Sequence, residues 1–396
     1  MIRKNKLILS IIASIMIGML GVFSSSFYSI ADKIAVTFGQ ESTMVGLLIS
    51  VFAACSFTSI FITSAIAERS GKKKVLIGAI ILVITGTMLV SISSYYLLTL
   101  LGLFLMGMGF GPTEAMGSSV LTDINSTQAT KWMNISQMLF CIGAIAAPIA
   151  AVWYSTVGGG SYNGIFFICA ISFALMLVYF STARFRELKV DKEDITHSPE
   201  SIHPLCLLKN KEFLVYAILI FLYLGYESIG LTFIKQLFLN AGSTEQIAAA
   251  GISAFWISMI AARLIGVFMS GKERIGICFF TPFVIISVIL MLSAQSDGLR
   301  IIAAFLYGFG CGPVWPMLFV LSSKVFPEKS GTAYAVMMLF ASAGHTLFPV
   351  LLGSWVGNVS ITFIACALLA ATVFLGSYFI KPSKVLSISM RESNVQ

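Results

Sequence analysis

GMGFGP at residues 107–112 and GFGCGP at residues 308–313 are one pattern, GxGxGP, and from 107 to 308 is a step of 201 residues. Gly143 and Pro148 recur as Gly344 and Pro349, from 143 to 344, again a step of 201. Two separate matches at one step argue for a chain built from two copies of one unit. Both hexapeptides lie late in long apolar runs. Gly107 and Gly111, like Gly308 and Gly312, then stand one helical turn apart on one face, where small residues let helices approach closely. A nucleotide-binding glycine loop would follow a strand and open a helix; no strand precedes either copy. The same step sets Glu114 against Trp315, so one copy carries a carboxylate where the other carries a large ring.

Hydrophobic residues make up 58% of the 396 and charged residues 11%, with a mean hydropathy of +0.94. Soluble domains carry roughly 25% charged residues, so the chain reads as an integral membrane protein. Its apolar stretches are about 20 residues long, the length that carries a helix across a bilayer. A membrane β-barrel would instead show alternating segments of roughly 10 residues, and none is found. MIRKNKLILS and the apolar run after it read as a retained first helix rather than a cleaved signal. The seven cysteines are scattered singly without a CxxC, so neither a disulfide framework nor a metal site is expected, and no cofactor is implied.

Twelve spans are predicted, at 7–36, 43–66, 74–92, 96–121, 132–155, 161–182, 213–238, 246–270, 275–294, 299–322, 331–356 and 360–380. With the N-terminus inside, 21 of the 25 Lys and Arg fall in the inside segments and one, Arg300, in an outside loop. That bias places both termini in the cytoplasm of a cell-membrane protein. It also accounts for the net charge of +8 without a nucleic-acid partner. The expected organisation is a six-helix bundle over 1–182, a cytoplasmic linker over 183–212 that includes His197 and His203, and a second six-helix bundle with a tail over 213–396. Transporters made of such parallel repeats keep their substrate site near the midplane.

SAIAERSGKKKVL at 64–76 resembles the loop signature of the major facilitator superfamily, with Glu68, Arg69, Gly71, Lys72 and Lys73 in matching places. Ser64 stands for the usual glycine and Glu68 for the usual aspartate. Within that superfamily, MNISQMLFCIGAIAAP at 133–148, FLYLGYESIGLTFIKQL at 221–237 and FGCGPVWPMLFVL at 309–321 resemble helices five, seven and ten of the fucose:proton symporter group. Glu114 falls where that group keeps a fourth-helix acid. The resemblance implies an all-α membrane fold of twelve helices in two pseudo-symmetric bundles, working by alternating access. It also implies that Glu68, Arg69, Gly71 and Lys72 belong to a gate.

Of the 17 acidic residues only Glu114 and Glu227 lie deep in predicted spans. A charged carboxylate at a helix centre costs roughly 2.5–3.5 kcal/mol on insertion scales. Holding a proton at neutral pH costs an ordinary Glu roughly 3.7 kcal/mol. The two costs are alike, so modest changes in water access decide which form is held. That is the requirement for a proton-coupling residue, and Glu114 and Glu227 are the candidates. Arg263 reads as a gate or pair partner, or as a residue that snorkels; Lys235 reads as snorkelling, and His345 as a neutral packing histidine. Asn134 and Gln137 share a helical face, and buried amides need partners. With Tyr28, Tyr226, Trp256 and Trp315 they form the candidate substrate site, since hydroxyl-rich solutes are bound by amides and rings.

These readings favour a monomeric secondary transporter of a small polar, sugar-like solute, coupled to protons or less favourably to Na⁺. The alternative is a proton-coupled exporter of drugs or other amphipathic compounds. HExxH, GxSxG and paired membrane aspartates do not occur, so an enzyme is not expected.

Overall fold

A computed structural model describes residues 2–37, 43–156, 162–182, 204–356 and 359–380. It is helical, with no strand among the described residues. The helices are α1 (Ile2–Thr37), α2 (Thr43–Ser70), α3 (Lys72–Ile92), α4 (Tyr96–Ile124), α5 (Ala129–Thr156), α6 (Tyr162–Thr182), α7 (Lys211–Asn240), α8 (Glu245–Gly266), α9 (Glu273–Ser293), α10 (Asp297–Cys311), α11 (Val314–Val325), α12 (Ser330–Val356) and α13 (Val359–Gly376). Counting α10 and α11 as one crossing gives twelve. Ten of these stretches are long and apolar enough to span a bilayer among the described residues. The chain divides into two compact units, Met1–Cys206 with Glu328–Ser342, and Leu207–Pro327 with Ala343–Gln396. Most of the expected linker, with both of its histidines, lies outside the described residues; Pro204–Lys209 forms a short 3₁₀ turn before α7.

The duplication is visible in the helix boundaries. From Lys72 to Glu273, the starts of α3 and α9, is 201 residues, and from Ile92 to Ser293, their ends, is 201. Likewise α4 opens at Tyr96 and closes at Ile124, while α10 opens at Asp297 and α11 closes at Val325.

Lipid is as apolar as leucine, so helices in a bilayer associate by close packing rather than by leaving water. The repeated glycines provide that closeness. A Cβ on Gly107 would lie 2.4 Å from the Phe52 carbonyl oxygen, and one on Gly308 would lie 2.1 Å from that of Phe255. On the opposite side, a Cβ on Gly109 would meet the Ala79 oxygen at 2.5 Å and one on Gly310 the Val284 nitrogen at 2.8 Å. The fifth-span match behaves alike: Gly143 sits against the Gly18 oxygen and Gly344 against the Phe221 oxygen. At all of these places but Gly310 the nearest atom is a carbonyl oxygen, so a Cα hydrogen faces a carbonyl where a side chain would not fit. Gly308→Ala is therefore expected to lower stability by about 1–3 kcal/mol, read as a fall in the melting temperature of the detergent-solubilised protein. An unchanged melting temperature would contradict this account of α8–α10 packing.

One expected helix is not continuous. The span predicted over 299–322 is broken between Cys311 and Val314 into α10 and α11. In α4 the matching Pro112 is accommodated inside an unbroken helix. The difference is a second proline. Pro316 stands where the first copy has Ala115, and a proline has no N–H for the carbonyl four residues back. Pro313 removes the donor for Phe309 and Pro316 the donor for Gly312. With two donors lost within one turn, the helix interrupts.

Candidate functional site

The interruption is held by side chains of its neighbours. Backbone bonds flank it, from Gly312 N–H to the Gly308 oxygen and from Met317 N–H to the Pro313 oxygen. Between them, the Cys311 oxygen accepts from the Tyr223 hydroxyl at 3.0 Å and the Gly312 oxygen from Arg263 Nε at 2.9 Å. Arg263 thus supplies the donor that Pro316 lacks. It is only 4% exposed and is no snorkelling residue.

Glu227 sits one turn beyond Tyr223 on α7, so the two side chains are i, i+4 neighbours. Its carboxylate neighbours the Tyr223 hydroxyl and lies within charge range of Arg263. The residue as a whole is half-buried, yet its Oε2 is shielded and carries no hydrogen bond. Tyr226 is fully buried and packs edge-on against Tyr223 at 5.2 Å. Its carbonyl accepts from the Tyr307 hydroxyl at 2.6 Å. Tyr226 is thus interior to its bundle, whereas Trp256 and Trp315 are half-buried. Trp315 lies against Phe319 at 4.5 Å, in the first turn of α11.

In the other unit, Glu114 is half-buried on α4, two residues after the proline. Asn134 and Gln137 are buried on α5. Asn134 Nδ2 donates back to the Thr130 oxygen at 2.9 Å, while its Oδ1 is shielded and accepts nothing. The side chains of Tyr28, Glu68 and Arg69 lie outside what is described. Lys235 is exposed, as expected of a snorkelling residue, and His345 is exposed as well.

Gly71 turns the chain into α3 with φ +86°, a value that favours glycine. Lys72 then reaches Ser119 Oγ at 2.7 Å and Asp123 Oδ2 at 2.5 Å, and also bonds Ser330 Oγ. Asp123 accepts from Ser330 at 2.7 Å. The other unit repeats this joint with its signs reversed. Gly271 has φ +80°, and Glu273, which opens α9, pairs with Lys324 at 3.1 Å. From 72 to 273 and from 123 to 324 the step is again 201. Neither partner acid nor Lys324 was singled out from sequence; reading the step of 201 through the loop charges would have found both. Lys324→Glu is expected to cost roughly 1.5–3 kcal/mol, the worth of a hydrogen bond to a charged group. The exchanged pair Glu273→Lys with Lys324→Glu is expected to recover most of that cost in a thermal-melt double-mutant cycle, because the first unit already runs this joint with that polarity. Additive losses would refute the pairing.

The sequence model for the Major Facilitator Superfamily matches residues 7–349. The chain belongs to that superfamily. Its fold agrees: a crystal structure of the E. coli fucose:proton symporter superposes with TM-score 0.78 at 17% identity, covering 95% of this chain and 99% of that one. The chain is thus a multi-pass membrane protein with the all-helical, twelve-span architecture that the repeats and the loop motif led one to expect. Among curated relatives, the glucose/mannose transporter of Bacillus subtilis is 24% identical over 267 residues, 65% of each chain. The multidrug resistance protein MdtL of Salmonella paratyphi C is 28% identical over 118 residues, 30% of each chain. The chain therefore spans less than two thirds of the length of either relative.

Proposed function

We propose that this superfamily member is a secondary active transporter that moves a small polar, sugar-like solute by alternating access, in symport with protons. The observation that carries the reading is a membrane-embedded carboxylate in each unit, Glu114 on α4 and Glu227 on α7, each half-buried and so open to changes in water access. Glu114 and Glu227 carry the coupling proton, with Na⁺ the less favoured ion. Asn134 and Gln137 bind the solute with Tyr28, Trp256 and Trp315. The unfilled Asn134 Oδ1 is an acceptor suited to a solute hydroxyl. Tyr226 acts from behind, as packing for Tyr223. Glu68, Arg69, Gly71 and Lys72 form a gate in the cytoplasmic loop, and Arg263 steadies the broken helix. The protein works as a monomer in the cell membrane with both termini inside, its halves 1–182 and 213–396 joined by 183–212. The named activity of the glucose/mannose relative supports a sugar-like solute.

Export of amphipathic drugs is the second reading, favoured by the shorter match to a multidrug resistance protein. Uptake into proteoliposomes under an imposed pH gradient, across labelled sugars and drugs, separates the two. Gradient-driven sugar accumulation with alkalinisation of the outer buffer supports symport. Dye extrusion without sugar uptake supports export. Movement of neither class, in vesicles proven sealed and correctly inserted, would overturn both.

A further inference from the structure

We propose that Tyr223 is a positioning residue that transmits the protonation state of Glu227 to the break between α10 and α11. The argument rests on the reading of Glu227 as a proton carrier and on a count of protons. Tyr223 has one hydroxyl proton, and it has two neighbours able to take it. One is the Cys311 carbonyl, which it holds at 3.0 Å; the other is the Glu227 carboxylate, its i+4 neighbour. When Glu227 carries a proton, its O–H donates to the Tyr223 oxygen and the phenol remains on Cys311. When Glu227 gives that proton to water, its carboxylate becomes an acceptor and draws the phenolic O–H to itself. Tyr223 keeps its proton throughout, and only the direction in which it donates changes.

The consequence falls on a stretch of backbone that has lost two N–H donors to proline. Between Gly308 and Pro313 the helix ladder is interrupted, and Pro316 leaves the Gly312 carbonyl dependent on Arg263. Loss of the Tyr223 bond would leave Cys311 with an exposed acceptor in a low-dielectric interior, where unmade bonds are most costly. The first turn of α11, which carries Trp315, then loosens. In the first unit the matching helix is continuous through Pro112.

Each helix packed on α7 brings its own groups toward Glu227. Within this unit α7 packs against α8, α10, α11 and α13, and also against α12, whose Gly344 meets the Phe221 carbonyl and whose next residue is the exposed His345. From α7 itself comes Tyr226, turned edge-on to Tyr223. From α8 comes Arg263, a positive charge that is the same in both protonation states of Glu227 and whose Nε donates to Gly312. From α10 come Cys311 and, a turn away, Tyr307, whose hydroxyl is committed to the Tyr226 carbonyl. From α13 comes Cys366, beside Tyr307. The charged group of α11, Lys324, is held by Glu273.

Hydrogen–deuterium exchange of the full-length protein in lipid nanodiscs tests this without any substrate. Wild type, Glu227→Gln and Tyr223→Phe are compared at matched pH, acidic and alkaline, so that the intrinsic chemistry of exchange cancels. Gln donates as the protonated acid does, so Glu227→Gln should protect peptides over 314–321 at both pH values as wild type does in acid. Phe cannot hold Cys311, so Tyr223→Phe should exchange there about three- to tenfold faster than acidic wild type at both pH values, the range of one net hydrogen bond. A Tyr223→Phe protein that keeps the wild-type pH response would overturn the proposal. So would a Glu227→Gln protein that still responds to pH over 314–321, which also decides the matter if the Phe variant fails to fold. Proton-driven uptake by Glu227→Gln is read in parallel. Retained uptake removes Glu227 from the coupling mechanism, whereas lost uptake with a wild-type exchange response removes only the Tyr223 relay.

Discussion

Glu114→Gln is expected to abolish accumulation of solute against its gradient while leaving solute exchange across the membrane in place. Glutamine preserves the size of the side chain and its ability to donate a hydrogen bond, and it cannot release a proton. A carrier fixed in the protonated form still binds solute and still reorients when loaded, so labelled solute exchanges with unlabelled solute. It cannot return empty after discharging its proton, so the pH gradient no longer drives net movement. One pH unit is worth about 1.36 kcal/mol per proton. A gradient of about two units therefore supports about hundredfold accumulation through one coupled proton, and this is the quantity that should collapse toward unity. Proteoliposome uptake with and without the gradient measures it. Undiminished accumulation in Glu114→Gln would remove Glu114 from the coupling mechanism. The identity of its counterpart bears on the same point. Where the second copy carries Trp315, the first carries this acid, so the duplication itself does not call for a carboxylate there.

Arg263→Leu is expected to lower stability by about 3 kcal/mol, the upper end of the cost of leaving a buried acceptor without its donor, with a nearby charge lost as well. Two groups lose their partner together. The Gly312 carbonyl loses the donor that replaces the missing N–H of Pro316, and the Glu227 carboxylate loses a positive charge beside it. The loss should appear as a lower melting temperature in detergent and be largest at alkaline pH, where Glu227 is ionised. Adding Glu227→Gln to Arg263→Leu should restore a large part of it, since the uncompensated charge then goes while the orphaned carbonyl stays. Arg263→Lys should recover little, because a lysine offers a point charge without the planar fork that serves two acceptors at once. Equal melting temperatures for wild type and Arg263→Leu would dismiss the network as a stabilising element.

Much of this was legible without coordinates. Membrane insertion follows from composition, and the count of crossings follows from apolar runs of a length fixed by bilayer thickness. The duplication was legible from GxGxGP alone, and the helix boundaries repeat at the step those glycines set. The role of the glycines in close packing was legible too, because a glycine ridge inside an apolar helix has few other uses. Glu114, Glu227 and Arg263 stood out because charge inside an apolar span is rare and costly.

What sequence reading could not reach depends on which side chains meet across helices. Pro313 and Pro316 were plain to see, yet whether a helix survives a proline depends on what its neighbours offer to the freed carbonyls. One proline is absorbed in α4; two within a turn interrupt α10 from α11 and place Tyr223 and Arg263 as donors. Tyr226, a ring beside a membrane carboxylate, had the marks of a solute contact and proved to be wholly interior, because a helix face is assigned by packing and not by neighbours in sequence. The paired joints of Lys72 with Asp123 and Glu273 with Lys324 are 51 residues apart in each unit, counting from 72 to 123 and from 273 to 324. Apolar periodicity carries no information over that separation. By itself, then, the sequence determined the medium, the crossings and the repeat, since these depend on local composition and spacing. Only the tertiary structure decided which carbonyls are left without donors and which buried charges answer them, because hydrogen bonds are satisfied between helices and not along them.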